Sequence, residues 1–358
     1  MMKKVALVFL CISMFVLACK KDPELGDVFA YDPTPYDLKI PRNLGWSTFP
    51  IPADNPLTVA GVELGKKLFF DQILSVNNKQ SCGSCHNQAN AFADPKPFSI
   101  GTLGDVIKRQ SMPLFNLAWA DKFNLTKHRY FWDGGANDLE RQAIGPILNP
   151  HEMANPDMFS VLARLQKHAE YPNLFRRAFG SDSITTIKLA KALAQFERTL
   201  ISSNSNWDKA ERRERLRTQS EINGLIIFST EKGDCFHCHG NPNSAFFTDF
   251  VFHNNGLEAM PKDSGLMRIT GRPEDLGLMK TPSLRNLSFT APYMHDGRFK
   301  TLMEVIEFYN SGTKNSPTVD PMISKSFPHG GLNLTPMEKN DLLNFLLSLN
   351  DSSFVGLK

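Results

Sequence analysis

Hydrophobic positions recur at helical spacing along most of the chain, and strict alternation of apolar and polar residues is scarce. Leu189, Leu193, Phe196 and Leu200 share one helical face, which predicts a core helix from about Thr186 to Ile201. Leu342, Phe345, Leu346 and Leu349 form a second stripe, on a helix opened by Thr335, Pro336 and Glu338. Leu302, Val305, Ile306 and Tyr309 stand at i, i+3, i+4 and i+7 behind a capping box of Thr301 and Glu304, so Tyr309 belongs to the inward face while Met303 does not. Two further helices look alike: one carries Gly65 and Phe69, the other Gly224 and Phe228 behind a capping box of Thr218 and Glu221. Their likeness points to an internal duplication. Between them, Asn155-Pro156 supplies a cap and a first-turn proline for a helix running towards His168, and Phe175 to Phe179 reads as helix stopping at Gly180. The charged run Glu211 to Arg217 reads as a solvated helix face or a crossing between domains, and Asn241 to about Pro292 as a long Gly- and Pro-rich loop.

The N-terminus follows a different rule. Lys3 and Lys4 precede an apolar stretch from Val5 to Leu17 that is too short for a comfortable membrane span, so residues 1–18 read as an export signal. Val16-Leu17-Ala18-Cys19 resembles a lipoprotein cleavage box, which makes Cys19 a lipidated first residue; an ordinary signal peptide with a chance cysteine is the alternative. Residues 19–50 are polar and Pro-rich and read as a tether. The remaining length suits two globular domains, 51–210 and 211–358, with the charged run at their boundary. The 40 Lys and Arg against 37 Asp and Glu are scattered along the chain, which gives no footprint for nucleic acid.

Six cysteines complete the chemical picture. Cys11 and Cys19 fall in the signal region, and the other four form Cys82-Gly83-Ser84-Cys85-His86 and Cys235-Phe236-His237-Cys238-His239. A redox CxxC or half a zinc site leaves the histidine after each pair unexplained, whereas CxxCH attaches a c-type haem: the thiols add to the vinyl groups and the histidine ligates iron. The expected fold is therefore mainly α, with two cytochrome c-like domains, each around one covalently bound haem c held by Cys82, Cys85 and His86 or by Cys235, Cys238 and His239.

Around these motifs the chain resembles the bacterial di-haem cytochrome c peroxidases and the related MauG enzymes. The likeness is carried by Phe131-Trp132-Asp133-Gly134-Gly135 with Leu139, Gln142, Gly145, Pro146, Asn149, Pro150, Glu152 and Met153, by Lys280-Thr281-Pro282-Ser283-Leu284-Arg285-Asn286, and by Ala291-Pro292-Tyr293-Met294-His295-Asp296-Gly297. It spans about residues 55 to 350. It implies a peroxide pocket at the first haem lined by Glu152 and Gln142, a group to move a proton and a polar partner for the separating charge. It also implies an electron relay at Trp132, and a calcium ion on Gln110 and the carbonyls of Thr290 and Pro292. The usual side-chain ligand at that last site is Asn, and Gln110 is longer by a methylene.

Two departures lean towards MauG. Many of these peroxidases carry a histidine sixteen residues after the first CxxCH histidine as a removable cap on the iron, and that count from His86 reaches Thr102. His128, the nearest later histidine outside the motif, reads as structural or surface. The methionine ligand of the second haem falls fourteen residues beyond His295, where this chain has Tyr309, with Met294 as the competing ligand. The resemblance implies reduction of hydrogen peroxide with electrons from a small donor such as a cytochrome c or a cupredoxin. A MauG-like oxidase of a protein or organic substrate and a non-enzymatic electron carrier are the alternatives. A periplasmic or cell-envelope site, a lipid anchor and a homodimer complete the expectations.

Overall fold

The computed structural model describes residues 30–44, 49–123, 127–240 and 245–357. The signal sequence, Cys19 and the first part of the tether lie outside the described residues. The principal helices are α1 (Val59–Phe70), α2 (Cys82–Cys85), α3 (Leu139–Leu148), α4 (Met158–Lys167), α5 (Tyr171–Phe179), α6 (Thr186–Arg198), α7 (Asn206–Glu211), α8 (Gln219–Phe228), α9 (Phe236–His239), α10 (Leu302–Glu307) and α11 (Pro336–Ser348). Among the described residues the strands are β1 (Phe252–His253) and β2 (Met279–Lys280), paired antiparallel within the long loop. The fold is mainly α, and none of its described helices is long and apolar enough to cross a membrane.

The same packing device appears twice. A Cβ on Gly65 of α1 would lie 1.9 Å from the carbonyl oxygen of Ala192 on α6, and one on Gly224 of α8 would lie 2.0 Å from that of Asp341 on α11. One turn further along, Phe69 meets Phe196 with ring centroids 5.1 Å apart, and Phe228 meets Phe345 at 5.0 Å. Each glycine lets two helix backbones touch, and each phenylalanine closes the contact on its core side. Leu64, Leu68, Leu189, Leu193 and Phe196 build the first core, and Ile227, Ile306, Leu342, Phe345 and Leu349 the second. A third cluster, with Trp119, Tyr130, Leu139, Ala194, Phe246 and Phe250, joins elements from both stretches of chain.

Two expectations change and a third narrows. Residues 30–44 are not a free tether: Asp32 N donates to Arg177 O at 2.8 Å, Tyr36 N donates to Leu57 O at 3.0 Å, and Leu44 is buried beside Trp119. The apolar Leu44 and the backbone partners on α5 and before α1 draw this segment onto the body. The helix expected from Asn155-Pro156 begins later, because buried Asn155 donates its amide to Leu74 O and Ile147 O at 2.7 and 2.8 Å and Asp157 caps α4 through Ser160 N. The charged run continues α7 only through Glu211, after which Arg215 pairs with Glu221 and Arg217 lies over the Trp207 ring at 4.2 Å. Of the two readings, a single solvated helix face does not hold, and the end of the run is fastened to Glu221 and Trp207.

Candidate functional site

Two cavities flank a shared wall. The larger, about 960 Å³, is lined by His86, Gln142, Glu152, Pro113, Trp132 and His295 among others. A smaller one, about 230 Å³, has Cys235, Cys238, His239, Met294 and Tyr309 on its walls. Gln110, Trp132, Lys280 and His295 border both.

Each CxxCH motif is a single helical turn followed by a phenylalanine carbonyl that accepts a hydrogen bond from the histidine. His86 Nδ1 lies 2.8 Å from Phe92 O and His239 Nδ1 lies 3.1 Å from Phe247 O. A carbonyl can only accept, so Nδ1 carries the hydrogen and Nε2 keeps its lone pair for a metal. Burial lowers the pKa of both imidazoles, which keeps them neutral and ready to ligate. Cys82, Cys85, Cys235 and Cys238 are free of disulfides and half-buried, and burial raises the Cys82 and Cys235 thiols above their ordinary range. Two thiols, a neutral imidazole and an adjoining cavity at each motif fit a thioether-linked haem.

On the larger cavity, α3 and the turn after it supply the two polar groups that the family motif implied. Gln142 is buried on α3, and its Oε1 has no hydrogen-bond partner among the described residues. An orphaned buried amide is costly unless something enters the cavity to meet it. Glu152 follows in the turn, where Asn149 Nδ2 donates to its Oε1 at 2.7 Å. Burial raises the Glu152 carboxyl above the usual carboxylate range, against the opposing hydrogen bond from Asn149. A carboxyl of raised basicity and an unsatisfied amide oxygen thus line one cavity with His86. Thr102 is engaged elsewhere, its hydroxyl 2.5 Å from Asn77 Oδ1, and His128 Nδ1 lies 3.3 Å from Gly134 O.

In the smaller cavity both candidate second ligands meet at one amide. Asn255 Nδ2 donates to the Tyr309 hydroxyl at 3.1 Å and approaches Met294 Sδ at 3.6 Å. Leu302, Val305, Ile306 and Tyr309 all line the cavity. Tyr309 does not continue α10 as the seven-residue count implied but sits in a π-helical turn, Phe308–Gly312. Such turns re-aim a side chain by inserting a residue and recur at functional sites.

The shared wall is tightly fixed. Trp132 Nε1 donates to Gln110 O at 2.8 Å, Lys280 N donates to Trp132 O at 2.9 Å, and the indole meets the His295 ring edge-on at 6.4 Å. Residue reading did not single out Lys280 or His295 as wall residues, although both lie inside the quoted motifs. Lys280 is buried, with its ammonium 3.4 Å from Phe250 O, and desolvation pulls its pKa down to about 8. Gln110, Thr290 and Pro292 border the smaller cavity, with Gln110 Nε2 donating to Asp94 O at 3.1 Å.

A mainly helical chain with two haem-ready CxxCH sites on either side of a tryptophan wall defines a di-haem c-type redox protein. Comparison with known proteins narrows the class. A sequence model described as di-haem cytochrome c peroxidase matches residues 59–215. The methylamine utilization protein MauG of Methylophilus methylotrophus is 36% identical over 309 residues, covering 85% of this chain and 86% of that one. The cytochrome c551 peroxidase of Nitrosomonas europaea is 37% identical over 265 residues, covering 72% and 75%. Among solved structures, a MauG-like protein associated with microbial copper homeostasis superposes with a TM-score of 0.79 at 31% identity, covering 89% of this chain and 97% of that one. The chain belongs to the di-haem cytochrome c peroxidase and MauG family, oxidoreductases that carry two c-type haems.

Proposed function

We propose that the protein works in the cell envelope as a di-haem peroxidase, reducing hydrogen peroxide to two waters with two protons and two electrons delivered singly by a small redox protein. The observation that carries this reading is that Glu152 and Gln142, whose amide oxygen has no partner among the described residues, line the same cavity as His86. When bound there, the haem supplies the iron that takes peroxide and exchanges electrons with it. Glu152 accepts the proton from one peroxide oxygen and returns it to the other, which leaves as water. The Gln142 amide nitrogen donates to the oxygen on which charge builds, while its orphaned Oε1 is free to accept from a peroxide hydroxyl. His86, its direction set by Phe92 O, would hold the iron on this side, and His239 with Tyr309 would hold the other. Trp132 carries electrons between them.

Glu152→Gln keeps the size of the side chain and removes its proton acceptor. Both haems should remain, while peroxide turnover with a reduced cytochrome falls by about 10²- to 10⁴-fold, the usual worth of general acid–base assistance. In the unaltered protein turnover should be lost as pH falls through the raised Glu152 pKa, because only the carboxylate is a base. Peroxide kinetics unchanged in the variant would remove Glu152 from the reaction.

A second reading has its own support. Tyr309 stands where the peroxidase pattern has methionine, and Thr102, held by Asn77, stands where it has a capping histidine, so the chain shares two features with MauG. That reading is an oxidase acting on a protein or organic substrate. Oxidation of both haems by peroxide without steady consumption of a reduced cytochrome would favour it. Two saturated haems inert to peroxide would instead leave a plain electron carrier. Calcium at Gln110, Thr290 and Pro292 would rest on neutral oxygens alone, which suits weak binding.

A further inference from the structure

The carbonyl that orients each iron-ligand histidine is presented by strained backbone. Ala91 and Phe92 lie in succession in the left-handed region, at φ 51° and 58°, and Phe247 lies there at φ 51°. Side chains rarely adopt this conformation, and it persists only where the surroundings over-determine it. At the second site those surroundings are local. The Phe247 ring meets Trp207, Phe228 and Phe345 with centroids 5.5, 6.0 and 6.0 Å away, all from the second core.

The first site is held differently. Phe69 of α1 flanks Phe92 at 6.0 Å, but the other flank is the end of the chain, which arrives from beyond α11. The Phe354 ring lies 5.7 Å from Phe92 and 5.9 Å from Phe115, and Val355 packs with Ala91 and Phe115. Gln88, two residues after His86, donates its Nε2 to Phe354 O at 3.2 Å. Asp351 fixes the segment from behind. Its Oδ1 accepts from Phe354 N at 3.1 Å, and its Oδ2 from Ser202 Oγ, Ser203 N and Asn204 N at 3.2, 2.9 and 2.8 Å. Asp351 is 2% exposed, so its carboxylate is largely shielded from water as it makes these bonds.

We infer that Asp351–Val355 is a clamp for the first haem's iron ligand: Phe354, pressed on Phe92, is a positioning residue that sets the His86 Nδ1–H···O=C bond and through it the potential of that iron. The inference rests on the reading of His86 as that ligand. The hydrogen bond gives the imidazole part of an anion's character, which favours ferric iron; a weaker bond makes the iron easier to reduce. The clamp comes from the chain end at the first site alone, so the second haem is an internal control.

The test is Phe354→Ala and Phe354→Leu in the full two-haem protein, with the spectrum and midpoint potential of each haem measured separately. Phe354→Ala should raise the potential of the Cys82–Cys85 haem and alter its spectrum while the Cys235–Cys238 haem stays put. Phe354→Leu, which refills most of the volume, should shift the same haem in the same direction by less. If the alanine variant fails to hold two haems, the leucine variant still reads the effect. Unmoved potentials, or equal shifts at both haems, would overturn the clamp. A wild-type protein without haem on Cys82 and Cys85, seen by mass, would instead remove the reading of His86, and the clamp with it.

Discussion

The tyrosine in the smaller cavity shows how much one side chain decides. In the protein alone, burial pushes the Tyr309 hydroxyl up to about 12, because the cavity strips water from a phenolate and the hydrogen bond from Asn255 offsets only part of that loss. A ferric iron held by His239 would reverse that balance, since a cation at the oxygen stabilises the anion. Met294, which shares Asn255, offers a neutral thioether that favours ferrous iron. The expected outcome is that Tyr309→Phe changes the low-spin spectrum of the second haem and raises its potential, while Met294→Leu leaves both nearly as they were. The reverse pattern in a redox titration would hand the ligand role to Met294. Tyr309 was legible as an inward residue from its spacing, but not the π-helical turn that aims it, because an inserted residue leaves no mark in a hydrophobic period. Glu152 and Gln142 stood out only through the family motif; a carboxylate in a turn and an amide on a helix are ordinary in isolation, and it is burial, which no local window shows, that sets them apart here.

At the scale of elements, local signals were read faithfully and distant ones were not. The boxes at Thr218–Glu221, Thr301–Glu304 and Thr335–Glu338 all cap helices, because each needs only four consecutive residues. Asn155 lost its expected cap to carbonyls on Leu74 and Ile147, which no window around it contains. The likeness of Gly65 and Phe69 to Gly224 and Phe228 reflects one helix crossing used twice, and it makes a stability prediction. Gly65→Ala and Gly224→Ala each place a methyl group against a backbone carbonyl that cannot swing away as a side chain could. Overpacking of this kind costs about 1–3 kcal/mol, against a gain in helix propensity of roughly 1 kcal/mol for replacing glycine. Both variants should therefore unfold at lower urea concentration than the parent. A midpoint raised in either would mean that the helices separate at little cost and that the crossing is not fixed by its glycine.

At the scale of the whole molecule, two haem sites matter only if they act together, and the wall between them is the place to ask. Trp132 borders both cavities and is anchored at its ring nitrogen by Gln110 O and at its carbonyl by Lys280 N. Both bonds fix the residue in place, and the indole meets the His295 ring edge-on. Phenylalanine at this position would fill most of the space but strand the Gln110 carbonyl, a loss of about 1–3 kcal/mol if the oxygen stays buried and unpaired. It would also remove the most easily oxidised ring between the cavities. Trp132→Phe should therefore keep two haems with near-native resting spectra, bind peroxide at the first, and pass electrons from the second to the first more slowly. Rapid mixing of the half-reduced protein with peroxide reads this directly, through the rate at which the second haem is oxidised. An unchanged rate in a variant with both haems intact would route the electrons past Trp132, leaving His295, the ring against its edge on that wall, to be tested in its place.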